Sequence, residues 1–480
     1  MAGNRGPSWR GPALLVAGAF FMEILDGTVV STAAPRMAAS LGVRSVDINV
    51  TITVYLLTLA AFIPVSGWLA DRYGTRTVFG AAIAIFTLAS AFCALSTGLL
   101  FMTAMRAVQG VGGAMMVPVG RLVVLRGTSK SELMHAIAYL TWPALVAPVL
   151  APVLGGVLAT YASWRWIFVL NVPLGIIAFL LTLRMVPNAK DETRHALDWL
   201  GFALVGSGLA LLVYGMELIS GDRVAWLAVG SVLVAGLVLL SLAVRHLLKA
   251  RNPLVELTTM RIPTFRITNL GGSFFRMAIS AVPFLLPLMF QDAFGWSPVK
   301  AGFLVVAVFA GNLGIKPLTT PMLRRFGFRS VLLVTGLAAA ATLAACGLLS
   351  SHTPLPVIVL VLALSGVFRS IGFTAYNTIA FSDIGPGQMT AANTLTSTIQ
   401  QLTIGFGVAA GALALRAGRP IGDWLNLSGS PDTAFSVAFV LIALLALIAV
   451  VESALLAPHA GLAVSAGQSP ASVQKPRAKS

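Results

Sequence analysis

Hydrophobic residues in this chain gather into long runs of about twenty, divided by short polar segments rich in Arg, Gly and Pro. A helix needs roughly 20 apolar residues to cross the hydrocarbon core of a bilayer. Fourteen runs reach that length, near 13–33, 50–70, 78–98, 101–123, 134–158, 166–186, 199–219, 224–245, 269–291, 299–321, 329–349, 355–377, 391–415 and 434–456. The alternating ten-residue segments of a membrane barrel are absent, so the predicted class is an all-α integral membrane protein.

The first run follows two arginines, as a signal peptide would. It contains Glu23 and Asp26, lacks a small-residue cleavage site and continues to Thr32, so it reads as a retained first helix. Of the 32 Lys and Arg, 21 fall in segments on the side of the N-terminus, 7 on the opposite side and four within helices. That asymmetry puts the basic side in the cytoplasm, and an even number of crossings puts both termini there.

Composition agrees with this reading. Hydrophobic residues make up 57% and charged residues only 10%, with a mean hydropathy of +0.90, whereas soluble domains carry about 25% charged residues. The net charge of +16 is spread over many short connections and does not form a nucleic-acid-binding face. Cys93 and Cys346 lie in separate apolar runs, and the five histidines share no ligand spacing, so no metal site and no cofactor is expected. Glycine runs such as Gly110-Val-Gly-Gly sit inside a helical run with no preceding strand, which makes them packing surfaces and not phosphate cradles. The connection at 246–268 mixes basic and apolar residues and reads either as a helix lying on the membrane surface or as a plain basic linker.

A charged turn occurs twice. Between the second and third helices stands Gly67-Trp-Leu-Ala-Asp71-Arg72-Tyr-Gly74-Thr-Arg76, and after the tenth Pro321-Met-Leu-Arg324-Arg325-Phe-Gly327-Phe-Arg329. Aligning Gly74 with Gly327 also aligns Arg72 with Arg325 and Arg76 with Arg329, while Asp71 meets Arg324. A degraded repeat at the same point of each half is expected of two parallel six-helix bundles.

Four motifs bring the chain to a known family. Leu25-Asp26-Gly-Thr28-Val-Val-Ser-Thr-Ala-Ala-Pro35, the Gly67–Arg76 turn, Arg106-Ala-Val-Gln109-Gly110 and Trp164-Arg-Trp166-Ile-Phe168-Val-Leu-Asn171-Val-Pro173 resemble signatures of the major facilitator superfamily. The resemblance is to its fourteen-helix drug/proton antiporters of the EmrB/QacA type, and the run Arg106–Arg121 looks most like the MdtD-type multidrug transporters. It implies two six-helix bundles plus two inserted helices: a cytoplasmic N-terminus at 1–12, an N-terminal bundle at 13–186, inserted helices and linkers at 187–268, a C-terminal bundle at 269–456 and a disordered cytoplasmic tail at 457–480. It also implies a transporter and not an enzyme, exporting small molecules by alternating access against proton entry. The setting would be the bacterial inner membrane and the working unit a monomer. In the fifth helix the antiporter pattern GxxxGPxxGG is departed from, with Ala147 and Ala151 replacing glycine, while Pro152, Gly155 and Gly156 retain the kink and the small packing edge.

Ionisable groups inside a membrane are costly and mark function by default. Glu23 and Asp26, three apart, share a helix face, and with Arg106 are the candidates for proton coupling; structural pairing of helices is the alternative for Asp26 and Arg106, and a place at the membrane edge for Glu23. Arg276, Lys316 and Arg369 fall well inside the second half, where they meet either an anionic solute or Glu23 and Asp26 across the cavity. Asn377, Asn393, Ser397, Gln400 and Gln401 form a polar set that suits either a cavity wall or interhelical bonds. Gly67, Asp71, Arg72, Gly74 and Arg76 are the expected gate. The three bases keep a second function open, export of a specific organic anion or metabolite. A membrane sensor on the same scaffold would need an appended soluble domain or a catalytic cluster, and the sequence offers neither.

Overall fold

The structure is a computed structural model and describes residues 9–130, 132–190, 195–220, 224–425, 431–461 and 464. Among the described residues there is no strand. The long helices are α1 (Arg10–Leu41), α2 (Asn49–Tyr73), α3 (Thr75–Ala94), α4 (Leu99–Arg126), α5 (Leu133–Tyr161), α6 (Trp166–Met185) and α7 (Trp199–Ser220). They continue with α8 (Trp226–Leu247), α9 (Pro263–Ala293), α10 (Pro298–Gly314 with Lys316–Phe326), α11 (Phe328–Gly347), α12 (Leu355–Ile379), α13 (Met389–Trp424) and α14 (Pro431–Ala454). Twelve of these are long and apolar enough by themselves to cross a membrane, and the bent pair forming α10 makes a thirteenth. The 29-residue α5, several of whose side chains are outside the description, completes the expected fourteen.

Most helices outrun their apolar stretch. The first, expected over 13–33, extends to Leu41, and the thirteenth, expected over 391–415, reaches Trp424. Backbone hydrogen bonding continues into water after the hydrocarbon ends, so apolarity marks the span and not the helix. The 246–268 connection carries only a 3-10 turn at Leu257–Arg261 before α9, so a surface helix does not form there. Of the expected tail only 457–461 and 464 are described.

Two helices break at matching places. In α2, Pro64 stands in a 3-10 turn, Ile63–Val65, and in α10 Pro317 follows a 49° bend. A proline removes one N–H and crowds the preceding turn, which tightens or bends a helix. Each proline stands at the same interval before its turn glycine, Gly74 or Gly327. Those glycines have φ 95°, ψ 145° and φ 75°, ψ 162°, a region that side chains disfavour, so the repeat survives in backbone geometry where Asp71 and Arg324 differ.

Helix pairing repeats as well. In the first half α1 lies along α5, α2 and α3 against α4, and α6 against α1 and α3. In the second half α9 lies along α13, α10 and α11 against α12, and α14 against α9 and α11. The halves meet along two seams, one where α2 and α4 face α13 and one where α5 faces α10 and α12. The hairpin α7–α8 covers only the first, through contacts of α7 with α2 and α13. Because lipid is as apolar as the helices, close backbone approach holds such bundles together. A Cβ on Gly110 would lie 2.8 Å from the Tyr55 carbonyl oxygen of α2, and one on Gly112 2.8 Å from the Phe86 nitrogen of α3. The glycine run of α4 is thus its packing surface.

Candidate functional site

Asp26 lies at mid-height of α1, 1% exposed. Arg106 of α4 donates from Nη1 to its Oδ2 at 2.5 Å, and the side-chain nitrogens of Gln109 and Asn171 donate to Oδ1 at 3.0 and 2.8 Å. Arg106 Nη1 also meets Gln109 Oε1 at 2.7 Å, Gln109 Nε2 donates to Ser90 Oγ at 2.8 Å, and the guanidinium lies 4.3 Å from the Tyr55 ring centroid. Both side chains of the ion pair are 0% exposed. A buried charge pair survives in apolar surroundings only when its remaining lone pairs and protons find partners, and the amides of Gln109 and Asn171 answer that need for Asp26. This network joins α1, α3, α4 and α6 within one half. Gln109 and Asn171 stand in two of the recognised motifs without being candidates above; they are uncharged and look like packing residues until the fold turns them onto one carboxylate.

Glu23, one turn away, faces differently. It lines a cavity of about 210 Å³ between the halves, with Arg121 of α4 and Asn377, Ser397, Gln400 and Gln401 of α12 and α13. Phe20, Phe373 and Phe381 supply apolar walls. Glu23 is 8% exposed and its Oε2 is buried with no hydrogen-bond partner. Arg121 donates from Nη2 to Gln400 Oε1 at 2.9 Å, Gln400 donates to Asn377 Oδ1 at 2.8 Å, and Arg121 Nη1 is buried without a partner. Arg121 sits close to the end of its apolar run and reads in the sequence as a topological base; α4 continues past it to Arg126, which carries it into the cavity wall. Asn393 lies outside that wall and donates to the Pro118 carbonyl of α4 at 2.8 Å.

The three inner bases of the second half do not converge. Arg276 is 3% exposed and makes one long bond, to the Thr268 carbonyl at 3.4 Å, with Nε and Nη2 unpartnered. Lys316 donates to Thr374 Oγ1 of α12 at 2.8 Å and borders a different cavity, between α5 and α10. Arg369 lies 5.9 Å from the Phe309 ring with Nη1 unpartnered. Among the described residues Arg276 and Arg369 form no salt bridge, and Asp26 and Glu23 do not reach them across the cavity. Asp26 is already held by Arg106.

The turn after α2 meets the opposite half. Arg126 Nη2 donates to Asp71 Oδ1 at 2.6 Å and to Thr390 Oγ1 of α13 at 2.6 Å, and Thr390 Oγ1 donates to Asp71 at 3.1 Å. Lys130 Nζ reaches the Ser382 carbonyl at 2.5 Å. Gly67 lies so near α13 that a Cβ there would fall 2.2 Å from Thr394 Oγ1 and 3.1 Å from Thr390 Cγ2. Arg72 lies over the Trp68 ring at 5.8 Å, and a Cβ on Gly74 would fall 2.1 Å from Asn188 Oδ1. Arg76 follows in the first turn of α3, half-buried. The halves therefore meet closely at this end along the α2–α13 seam. Helix α5 runs unbroken through 152, 155 and 156; Gly155 is buried, and the side-chain placement at Pro152 and Gly156 falls outside the description.

Two pseudo-equivalent six-helix halves around a polar-walled cavity define a membrane transporter, and the Major Facilitator Superfamily family model matches residues 16–408 and 268–476. The chain belongs to that superfamily. It is 40% identical over 412 residues to "Putative multidrug resistance protein MdtD" of Escherichia coli O6:H1 and to the protein of the same name in Shigella flexneri, covering 85% of this chain and 86% of each relative. In fold it is similar to the crystal structure of the human organic anion transporter MFSD10 (TETRAN), with a TM-score of 0.61 and 16% identity over 92% of this chain and 100% of that one. The protein is a multi-pass membrane transporter of the superfamily, which acts on small molecules and consists of transporters, not enzymes.

Proposed function

We propose that this protein is a proton-coupled exporter of small molecules, of the multidrug type, working by alternating access in the bacterial inner membrane. The observation that carries the reading is Glu23, a carboxyl group in the wall of the cavity between the halves with one oxygen buried and unpartnered. A carboxylate without a cation is expensive to hold in a membrane, whereas the neutral acid is not. Glu23 takes a proton and gives it up as the cavity is exposed to each side. Asp26 and Arg106, one turn deeper, transmit that change to α3, α4 and α6. With the basic side in the cytoplasm and both termini there, the closed end is the cytoplasmic one, gated by Gly67, Asp71, Arg72, Gly74 and Arg76 against α13. At a potential of order 100 mV each inward proton contributes about 2.3 kcal/mol. Solute meets Asn377, Ser397, Gln400 and Gln401, with the aromatic walls giving tolerance of shape. One chain suffices, since each six-helix half is paired within the monomer.

A second reading is favoured by a specific observation. Arg121 lines the same cavity with a buried unpartnered Nη1, and Arg276 is buried with Nε and Nη2 unpartnered among the described residues. Those cations suit a solute with a carboxylate or phosphate, so export of an organic anion is the alternative. Uptake into inverted vesicles under an imposed pH gradient separates the two. Uptake of a lipophilic cation that follows the gradient supports the first, uptake of a carboxylate the second, and no response from either removes proton antiport.

A further inference from the structure

The two seams between the halves are treated unequally. Helix α7 covers the α2–α13 seam, but no helix covers the α5–α10 seam among the described residues. There a cavity of about 680 Å³ opens between the first turns of α5 and the second segment of α10. Exposed Leu313, Pro317, Pro321 and Tyr139 form its apolar surface. His135, Lys316 and Arg324 are its basic groups, and no acid is among its described lining residues. The nearby acid, Glu132, is engaged elsewhere, accepting from Trp9 Nε1 at 2.9 Å and from Ser129 Oγ at 2.7 Å. Trp9 stacks edge-on against Tyr139 at 5.5 Å, and aromatic residues of this kind gather where hydrocarbon meets headgroups.

We propose that this groove binds one anionic phospholipid, its phosphodiester held by Arg324, His135 and Lys316 and an acyl chain lying along Leu313, Pro317 and Pro321. The occupant follows from charge and position together. The groove lies at the basic end of the molecule on the seam that α7 leaves uncovered, three bases and no acid stand among its described lining residues, and exposed Leu313, Pro317 and Pro321 give it an apolar wall for a chain. The lipid completes the α5–α10 seam as α7 completes the opposite one, and bridges the two halves through His135 on α5 and Arg324 on α10. Basic pockets between membrane helices recognise anionic headgroups on these terms.

The test uses the full chain purified in detergent, with bound lipid read by native mass spectrometry during titration with phosphatidylglycerol or phosphatidylcholine. Phosphatidylglycerol should bind one copy in preference to phosphatidylcholine. Arg324→Gln should weaken it about fivefold, the loss of one cation beside an anionic headgroup, and adding His135→Gln, which removes a ring N–H donor, should weaken it further. Arg324→Lys, which keeps the charge and guards against a folding artefact, should retain most of the binding. The control Arg245→Gln with Lys249→Gln removes two charges outside the groove and should bind as the parent does. Equal binding of the two lipids, equal weakening in the control, or displacement by glycerol phosphate at the same concentration would overturn the proposal, the last by making it a free phosphate site.

Discussion

At the scale of single residues, the contrast between two carboxyl groups three positions apart is the informative feature. Asp26 is enclosed with Arg106 and two amides; Glu23 faces the cavity. Removing one partner of a buried pair leaves the other charge uncompensated, at a cost of about 3–5 kcal/mol. Asp26→Asn should therefore lower the thermal unfolding temperature in detergent markedly, because Arg106 remains charged in the interior. Glu23→Gln keeps the shape and breaks no ion pair, so it should leave that temperature close to the parent's while abolishing proton-driven flux. If Asp26→Asn still exchanges protons for solute and Glu23→Gln does too, neither acid carries the coupling.

At the scale of elements, the hairpin α7–α8 is fastened at one end by Asp198. Its carboxylate caps α7 by accepting from the Gly201 nitrogen at 2.8 Å, accepts from the Leu254 nitrogen at 3.3 Å and meets His246 Nε2 of α8 at 2.8 Å. Burial acts against the charged form, but the Gly201 and Leu254 N–H groups and the imidazole outweigh it and hold the carboxyl below its ordinary range. A carboxyl depressed in the folded state stabilises it above the ordinary aspartate range, and that contribution fades as pH falls through and below it. Protection of the α7 amino terminus against hydrogen exchange, taken relative to the intrinsic rate at each pH, should therefore fall on acidification in the parent. In Asp198→Asn that protection should be low already at neutral pH and change little with acid. The histidines illustrate a limit of reading by spacing: His246 has no nearby partner in sequence, and the hairpin brings it to an aspartate 48 residues earlier.

At the scale of the whole molecule, closure depends on how near α2 can come to α13. Gly67 permits that approach, with Thr390 and Thr394 opposite it and the Asp71, Arg126 and Thr390 cluster beside it. A branched side chain at Gly67 would collide with both threonines, so Gly67→Val should hold the halves apart at this end. Distances between spin labels placed near the ends of α2 and α13 should lengthen by several ångströms, and solute should still bind. Unchanged distances would show that Gly67 does not set the closure. The 3-10 turn of α2 and the bend of α10, each with a proline at the same interval from its turn glycine, put the interruptions at matching places in the two halves.

The sequence by itself determined the membrane class, the crossings and the repeated turn, because those rest on local quantities: run length, charge between runs and backbone requirements at Gly74 and Gly327. The motifs added the superfamily. The same local quantities counted Arg121, near the end of its run, with the cytoplasmic bases, and left the 246–268 segment open between a surface helix and the linker with a 3-10 turn that it forms. Pairing belongs to another order of information. Whether Asp26 or Glu23 is enclosed, whether three bases share a site, and which seam the inserted hairpin covers depend on which faces of distant helices meet. Only the tertiary structure decided these, since a helix presents every residue to some side and its neighbours settle which side becomes a core, a cavity or a lipid-facing groove.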